Sequence, residues 1–383
     1  MSSLIQCAVR RTRKNQRKGS AIVLSVFLVA AILMIAAIAI DYGHINVSRT
    51  EVKRTADAAA MASCWELFDS IAERRSFSSS ESDIRSSGAT IASANLVSAT
   101  PTSLNLQSDI EIGLYDLEDP GNLQQLSQDE FNAVRVHVRR DAASGASIPL
   151  FLGSITGRNE QSMQAFSTAA MFKSIGGFYT PPKAGETLDI LPIALDLETW
   201  EAVVAKQTGD SLQYSGGQIT GGSDGYCECN LYPQGTGSPG NRGTVDIGGR
   251  NNSTKDLSRQ IIHGISQQDL ADLGKPLEFD GNHELELNGD TGISAGIKDE
   301  LAAIIGQKRI IPIFTKVKGN GNNAMYTIVR WEGIRILGVK LTGPMKKKHL
   351  TIQPAPMVAR YSRYERESYE ESEFLYTPVM LVE

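Results

Sequence analysis

The first feature of the chain is an uninterrupted apolar run near its start. From Ala21 to Ile40 there are twenty residues, and only Ser25 is polar. At a helical rise of about 1.5 Å per residue, the run spans roughly 30 Å, the thickness of the hydrocarbon core of a bilayer. A helix buried in a soluble core keeps one polar face, and this run has none. The pattern therefore predicts a transmembrane helix over residues 20–41.

Charge sets the expected orientation of this helix. Basic residues precede it, and no acidic residue occurs before Asp41. The basic residues are Arg10, Arg11, Arg13, Lys14, Arg17 and Lys18. Because the cytoplasmic flanks of membrane helices carry an excess of Lys and Arg, we expect residues 1–19 to form a basic cytoplasmic tip. The rest of the chain is then expected outside the cytoplasm.

Two kinds of processing compete with a permanent anchor. Ala37-Ile38-Ala39 offers a small-residue cleavage pattern, although the apolar region of a cleaved signal is usually only about 7 to 15 residues long. A pilin-type leader would be cut after Gly19, and such leaders typically place Glu at the fifth mature position, where this chain has Leu24. Both alternatives stay open beside the preferred permanent anchor.

A helical pattern continues beyond the apolar run. Residues 44–75 contain no Pro or Gly, and apolar or small residues recur in steps of seven, four and three. This stripe consists of Ile45, Val52, Ala56, Ala60, Cys64, Leu67 and Ile71. It predicts an Ala-rich extracytoplasmic helix that extends the membrane helix as one rod. Small residues allow close packing, either within the chain's own domain or against a partner, and we take the stripe as a candidate partner surface.

Alternating and apolar segments farther along predict strands. Val134, Val136 and Val138 fall on one face of a strand, which leaves His137 on the other face as an exposed residue rather than a ligand. Near the C-terminus, RIIPIFTKV, AMYTIVRWEGIRILGVKLTG and HLTIQPA are expected to lie side by side as strands. A Gly- and Pro-containing segment between these regions predicts a linker.

The predicted fold class is α+β. A single transmembrane helix continues into a long helix, and two extracytoplasmic modules of mixed helices and strands follow, the C-terminal one rich in strands. The predicted divisions are a basic tip (1–19), the transmembrane helix (20–41), the Ala-rich helix (42–75), an α+β module (76–175), a linker (176–187), a strand-rich module (188–356) and a Tyr- and Glu-rich tail (357–383).

Composition limits the classes of function. The net charge is −5 and the basic residues are concentrated at the N-terminus, which argues against a nucleic-acid-binding surface on the exported part. Four cysteines are too few for a disulfide framework. In an oxidising compartment we expect a disulfide involving Cys227 and Cys229. A metal site, with His263 or His283 as partners, is the alternative.

Motifs for chemistry are missing or incomplete. Gly289–Gly296 leads into a helix as a phosphate-binding loop would, but it lacks the Lys of such a loop, and helix capping by Thr291 or Ser294 explains it. Asp280–Asp290 and Lys318–Asn323 carry oxygen ligands without the spacing of a calcium loop. No Gly-x-Ser-x-Gly or His-Glu-x-x-His pattern occurs. We therefore expect no enzymatic activity, cofactor or small-molecule substrate. An envelope hydrolase or calcium-dependent adhesin stays as an alternative.

The N-terminal block carries a resemblance to a known family. Arg17-Lys18-Gly19-Ser20, the apolar run, Asp41-Tyr42-Gly43 and Thr55–Ala60 resemble the N-terminal segment of Flp (Tad) pilus-assembly proteins of the TadE/TadG-like kind. The departure is Lys53-Arg54-Thr55-Ala56, where the family often has Leu-Gln-Asn-Ala. Leu191–Asp196 and Ile311–Phe314 resemble its C-terminal region more weakly.

The resemblance implies a function that the residue patterns alone do not. It implies an inner-membrane protein whose extracytoplasmic domain helps to assemble or anchor a tight-adherence pilus. Contact with other pilus-assembly proteins or self-association would carry that role. A minor pilin-like subunit, processed after Gly19 and extracted into the fibre, is the alternative within the same system.

Overall fold

The computed structural model describes residues 18–125, 127–144, 146–232, 242–248, 253–365 and 371–382. Most of the predicted basic tip, together with Cys7, lies outside the described residues. The α-helices of the described part are α1 (Lys18–Ala72), α2 (Phe77–Ala94), α3 (Gly153–Thr156), α4 (Leu197–Val204), α5 (Thr254–His263), α6 (Gln267–Leu273) and α7 (Lys298–Ala303).

The strands are given in chain order. They are β1 (Ile110–Tyr115), β2 (Leu123–Gln124), β3 (Ala133–Arg140), β4 (Ile148–Pro149), β5 (Glu160–Gln161), β6 (Met163–Ala170), β7 (Ile175–Phe178), β8 (Thr187–Leu188), β9 (Ile193–Asp196), β10 (Leu212–Ser215), β11 (Gln218–Gly221), β12 (Cys229–Asn230), β13 (Arg242–Val245), β14 (Ile265–Ser266), β15 (Leu277–Glu278), β16 (Leu285–Asp290), β17 (Lys308–Lys318), β18 (Ala324–Lys340), β19 (His349–Pro354), β20 (Met357–Val358), β21 (Ser362–Tyr364), β22 (Leu375–Tyr376) and β23 (Met380–Leu381).

The long helix α1 joins the apolar run and the Ala-rich segment without a break, so the predicted single rod is confirmed. Its second half packs against α2, β3 and β6. The sheet of this N-terminal module has the order β2-β1-β3-β6-β23. Val134, Val136 and Val138 are buried beneath the helices as their alternation predicted, and His137 is partly exposed on the opposite face.

The C-terminal module is built on a sheet that closes on itself. Its order is β12-β19-β18-β16-β13-β9-β17, and β17 also pairs with β18, so β18, β16, β13, β9 and β17 form a ring. The predicted neighbours β17, β18 and β19 do lie side by side. Alternate side chains enter different apolar clusters: Ile310 belongs to the cluster that contains Trp331, and Ile311 belongs to the cluster that contains Trp200.

Residues 176–187 were predicted to form a linker, but the first residues of this segment belong to a strand. β7 ends within it, at Phe178, and pairs with both β15 and β21. A Cβ added at Gly177 would overlap the carbonyl oxygen of Leu277, so glycine here permits a close approach of two strands rather than flexibility. The ring of Phe178 packs edge-on to Trp331 with 5.1 Å between centroids. The segment is therefore part of a core.

The predicted tail at residues 357–383 also needs correction. Its composition is polar, but Leu375, Tyr376 and Thr377 are buried. β23 adds an antiparallel strand to β6 of the N-terminal module, while the Ser372 hydroxyl donates to the carbonyl oxygen of Trp331 at 2.7 Å. The C-terminal segment therefore connects the two modules, because its few apolar residues and its backbone fill places in both.

Candidate functional site at the junction of the apolar helix and the folded body

The helix α1 changes its surroundings along its length. Large apolar side chains between Ile22 and Ile40 are at least half exposed, whereas those from Val52 onward are mostly buried in the body. In the described residues, α1 is the helix long and apolar enough to cross a membrane. Its first half is therefore an apolar rod that the rest of the described chain leaves largely uncovered.

Asp41 marks the point where the rod meets the body. It follows the apolar run directly, and it is buried. The backbone N–H of Leu152 donates to both Asp41 carboxylate oxygens, at 3.2 Å each. One turn farther on, the ring of His44 packs on Phe151 with 4.6 Å between centroids. These contacts fix the loop that carries α3 beside the end of the apolar segment.

The next two turns of α1 are held by polar contacts to other elements. Ser48 and Ser98 share a hydrogen bond of 2.7 Å, and Glu51 accepts from the backbone N–H of Ser98 at 2.8 Å. Ser98 has a φ of 49°, a left-handed conformation that is uncommon outside glycine. Lys53 donates to the carbonyl oxygen of Phe166 at 3.1 Å. Hydrogen bonds from successive turns of α1 thus hold this part of the helix against the body.

The stripe predicted as a partner surface lies mostly inside the molecule. Val52, Ala56, Ala60, Cys64 and Leu67 are buried in one cluster with the valines of β3. Of the two interpretations that the spacing left open, packing within the chain's own domain describes this structure. The small side chains permit this because they let α2 and the sheet approach α1 closely. The middle of the stripe is therefore part of this chain's own core, and a partner surface on the stripe stays a prediction.

The two ends of the stripe remain at clefts. Ile45 lines a cleft with Arg49 and Met163 beside the start of the body. Ile71 lines a cleft of about 380 Å³ together with Phe172 and other residues of both modules. These positions, rather than the buried middle, are where another molecule has access to the stripe.

The cysteines do not form the expected disulfide. Cys227 and Cys229 are unpaired and buried, as is Cys64. Burial raises the pKa of the Cys229 thiol, and more strongly that of Cys64, which makes both poor nucleophiles at neutral pH. Cys227 and Cys229 belong to the apolar cluster around Trp200. They act as small apolar residues there.

The loops that the sequence offered as possible metal-binding or phosphate-binding sites form turns and helix caps in the structure. The carboxylate of Asp280 accepts from the backbone N–H groups of Asn282 and Glu284, and the hydroxyl of Ser294 accepts from the N–H of Gly296. In the part of the chain that the structure describes, no group of three or more His, Cys, Asp or Glu side chains is placed to hold a metal ion.

Sequence reasoning missed the contact role of Asp41. The Asp-x-Gly pattern at the membrane exit was the available signal, but nothing in it indicates a partner as distant in sequence as Leu152. It also missed Phe151 and Ile155, which are exposed in the loop that Asp41 holds. The feature of the sequence that could have indicated these two residues is the presence of large apolar side chains in a segment that otherwise has the composition of a turn.

Comparisons with known proteins agree with this architecture at the N-terminal end. The family model described as putative Flp pilus-assembly TadE/G-like matches residues 19–63. A second model, described as putative Tad-like Flp pilus-assembly, matches residues 57–169. No curated protein and no solved structure matches the chain. The weaker resemblance of Leu191–Asp196 and Ile311–Phe314 lies outside both matches and stays a prediction. Over residues 19–169, the chain is therefore similar to Flp (Tad) pilus-assembly proteins of the TadE/G-like kind.

Proposed function

We propose that this chain is an anchored assembly component of a Flp (Tad) pilus system. The apolar half of α1 would cross the inner membrane, and the body would act outside the cytoplasm through contacts with other pilus-assembly proteins or with copies of itself. The observation that carries the proposal is α1 itself. One helix combines an uncovered apolar rod with the core of a folded body, and both family matches include part of it.

Energetics support a membrane environment for the rod. Each large apolar side chain that leaves water contributes about 1.5 to 3 kcal/mol, and the run from Ala21 to Ile40 supplies many of them. A helix also satisfies its own backbone hydrogen bonds in lipid. The cations before the run support a cytoplasmic N-terminus.

The family supports a structural role rather than catalysis. Its members are described by pilus assembly, and two of the clefts lie along α1 and between the modules. A host that makes such pili should show fewer of them at its surface when it lacks this chain, and the intact chain should restore them.

Thiol labelling tests the topology. The native Cys7 lies in the basic tip, and a Gly121→Cys change would place a thiol on an exposed turn with no neighbouring atom in the way. With a membrane-impermeant maleimide on intact spheroplasts, we expect label at residue 121 and none at Cys7 until the cells are lysed. The label that appears only after lysis should be absent from a Cys7→Ser variant, which assigns that label to Cys7. Label at Cys7 in intact spheroplasts would contradict the orientation.

The mature N-terminus separates the anchor from the processed subunit. Mass spectrometry of the protein from membranes should find a start at Met1 or Ser2. A start at Ser20 would instead support a pilin-like subunit cut after Gly19. A start just after Ala39 would mean that the apolar run is a cleaved signal, and the anchor would be lost.

A further inference from the structure

The loop between β4 and β5 presents two large apolar side chains to the outside. Phe151 is 70% exposed and Ile155 is 54% exposed. The loop is short and closed at its base, since the N–H of Leu150 donates to the carbonyl oxygen of Asn159 at 2.9 Å. Within it, the N–H of Arg158 donates to the carbonyl oxygen of Gly153 at 2.9 Å. The two side chains therefore project from a defined turn.

The position of this loop is fixed relative to the apolar rod. Asp41, the first residue after the run, holds the N–H of Leu152, and Phe151 packs on His44 one turn later. The short helix α3 also contacts α1. The exposed ring of Tyr42 lies next to Asp41 on the same helix. Tyr42, Phe151 and Ile155 thus lie near the level along α1 at which the apolar run ends.

We propose that Phe151 and Ile155 insert into the outer interface of the lipid bilayer, beside the membrane helix. The proposal rests on the proposed membrane crossing of α1. If the run from Ala21 to Ile40 spans the hydrocarbon core, Asp41 lies at its edge, and the loop attached to Asp41 lies at the same level. Trp and Tyr are enriched at this depth, where Tyr42 would lie, and Phe is among the apolar residues that interfacial segments bury in the bilayer.

The charges of the loop favour insertion by apolar burial rather than recognition of a particular headgroup. Arg158 and Glu160 are both exposed near the base of the loop, and their opposite charges offset each other. An anionic lipid therefore gains little over a neutral one. The contact would also limit the tilt of α1 and the body relative to the membrane, because the body would touch the membrane at a second point beside the helix.

Tryptophan quenching in nanodiscs tests this contact on the full chain. Phe151→Trp and Ile155→Trp place the probe on the loop, and brominated phosphatidylcholine in the nanodisc quenches indole that reaches the lipid. The matched control is Phe166→Trp. Phe166 is 53% exposed, much as Ile155 is. Its carbonyl accepts from Lys53, which lies twelve residues after Asp41 on α1. At the helical rise, this places Phe166 about 18 Å farther from the membrane than Asp41. Phe27→Trp, in the middle of the apolar run, is the reference for the span itself.

The signals are read as differences from the unsubstituted protein, which subtracts Trp65, Trp200 and Trp331. We expect strong quenching at residue 27, at least twofold quenching at 151 and 155, and little at 166. Quenching at 27 without quenching at 151 and 155 would overturn the loop proposal and leave the anchor standing. A lack of quenching at 27 would overturn both. Equal quenching at 151 and 166 would show a non-specific effect and also overturn the loop contact.

Discussion

Glu332 is fully buried and accepts a hydrogen bond of 3.0 Å from the backbone N–H of Phe374. The backbone N–H of Glu373 donates to the same carboxylate at 2.9 Å. A strand of the C-terminal ring thereby holds the segment that runs on to β23. Burial raises the pKa of Glu332 to about 7, against the lowering effect of the two backbone donors and of Arg330.

This raised pKa predicts a pH dependence of stability. Because the folded state favours protonated Glu332, its contribution is fully present below the ordinary pKa of 4.5 and is lost as pH rises to about 7. Glu332→Gln cannot ionise, so we expect the wild type to lose free energy of unfolding relative to this variant across that window, on the order of 3 kcal/mol.

Urea unfolding of the full chain in detergent micelles, from about pH 4 to about pH 8, measures this difference. The matched control is Glu111→Gln, since Glu111 is exposed on β1. It should follow the wild-type curve. Parallel curves for the wild type and Glu332→Gln would show that Glu332 does not titrate in this range.

The contact of α1 with α2 predicts that Gly88 does not tolerate a methyl group. A Cβ at Gly88 would overlap the hydroxyl of Ser63 and approach the carbonyl oxygen of Ala59 at 3.2 Å. We expect Gly88→Ala to lower the free energy of unfolding by about 1 to 3 kcal/mol, although alanine is the better helix former. Adding Ser63→Ala should recover part of this loss, as a double-mutant cycle would measure.

Gly43→Ala is the control for that experiment. Gly43 also lies in a helix, and an added Cβ there meets nothing within 4 Å. The change should leave stability unchanged or raise it by up to about 1 kcal/mol. If Gly88→Ala were equally harmless, the two helices would not pack as closely as the structure has them.

The sequence predicted those elements that have a clear hydrophobic periodicity or that pair with elements close to them in the chain. The continuity of α1 followed from the absence of Gly and Pro after Gly43, and the valines of β3 followed from their alternation. The neighbours β17, β18 and β19 are consecutive in the chain, so simple turns connect them.

Pairing between distant residues was not predictable in this way. β23 has two residues, and its partner Ala170 lies more than two hundred positions before Met380. Nothing in a short, polar tail specifies that register. The burial of Glu332 is similar, because a carboxylate between Trp331 and Gly333 becomes acceptable only through donors near residue 374. The site shows the same limit: Asp41 was visible as part of a motif, but its partner Leu152 was not.

The buried stripe predicts that bulk on α1 disturbs folding and not only assembly. Ala56 and Ala60 are fully buried, so Ala56→Leu or Ala60→Leu should lower the free energy of unfolding by about 1 to 3 kcal/mol. Val47→Leu is the control on the same helix, because Val47 is largely exposed. Unchanged stability of Ala60→Leu, with lost crosslinking to a partner, would restore the stripe as a partner surface.

The C-terminal segment predicts a stability effect far from its own position in sequence. The hydroxyl of Thr377 accepts from the N–H of Phe172 at 3.0 Å, and the N–H of Thr377 donates to the carbonyl oxygen of Phe172 at 2.8 Å. Thr377→Val keeps the shape and leaves the buried N–H of Phe172 unpaired, at a cost of about 1 to 3 kcal/mol. Amide exchange at Phe172 should accelerate. Thr315→Val, exposed on β17, should change stability by less than about 0.5 kcal/mol.

The unpaired cysteines predict a labelling pattern that separates burial from oxidation. In a Cys7→Ser variant, Cys64, Cys227 and Cys229 are the remaining thiols. Since all three are buried, they should react slowly with a maleimide in the folded protein. In urea without reductant all three should react, because none is oxidised. Mass spectrometry counts the adducts. One adduct in urea that becomes three only after reduction would show a disulfide between two of the three, contrary to the structure, and an adduct located on Cys64 would assign that bond to Cys227 and Cys229. The Cys229→Ser variant would then carry two adducts in urea without reductant.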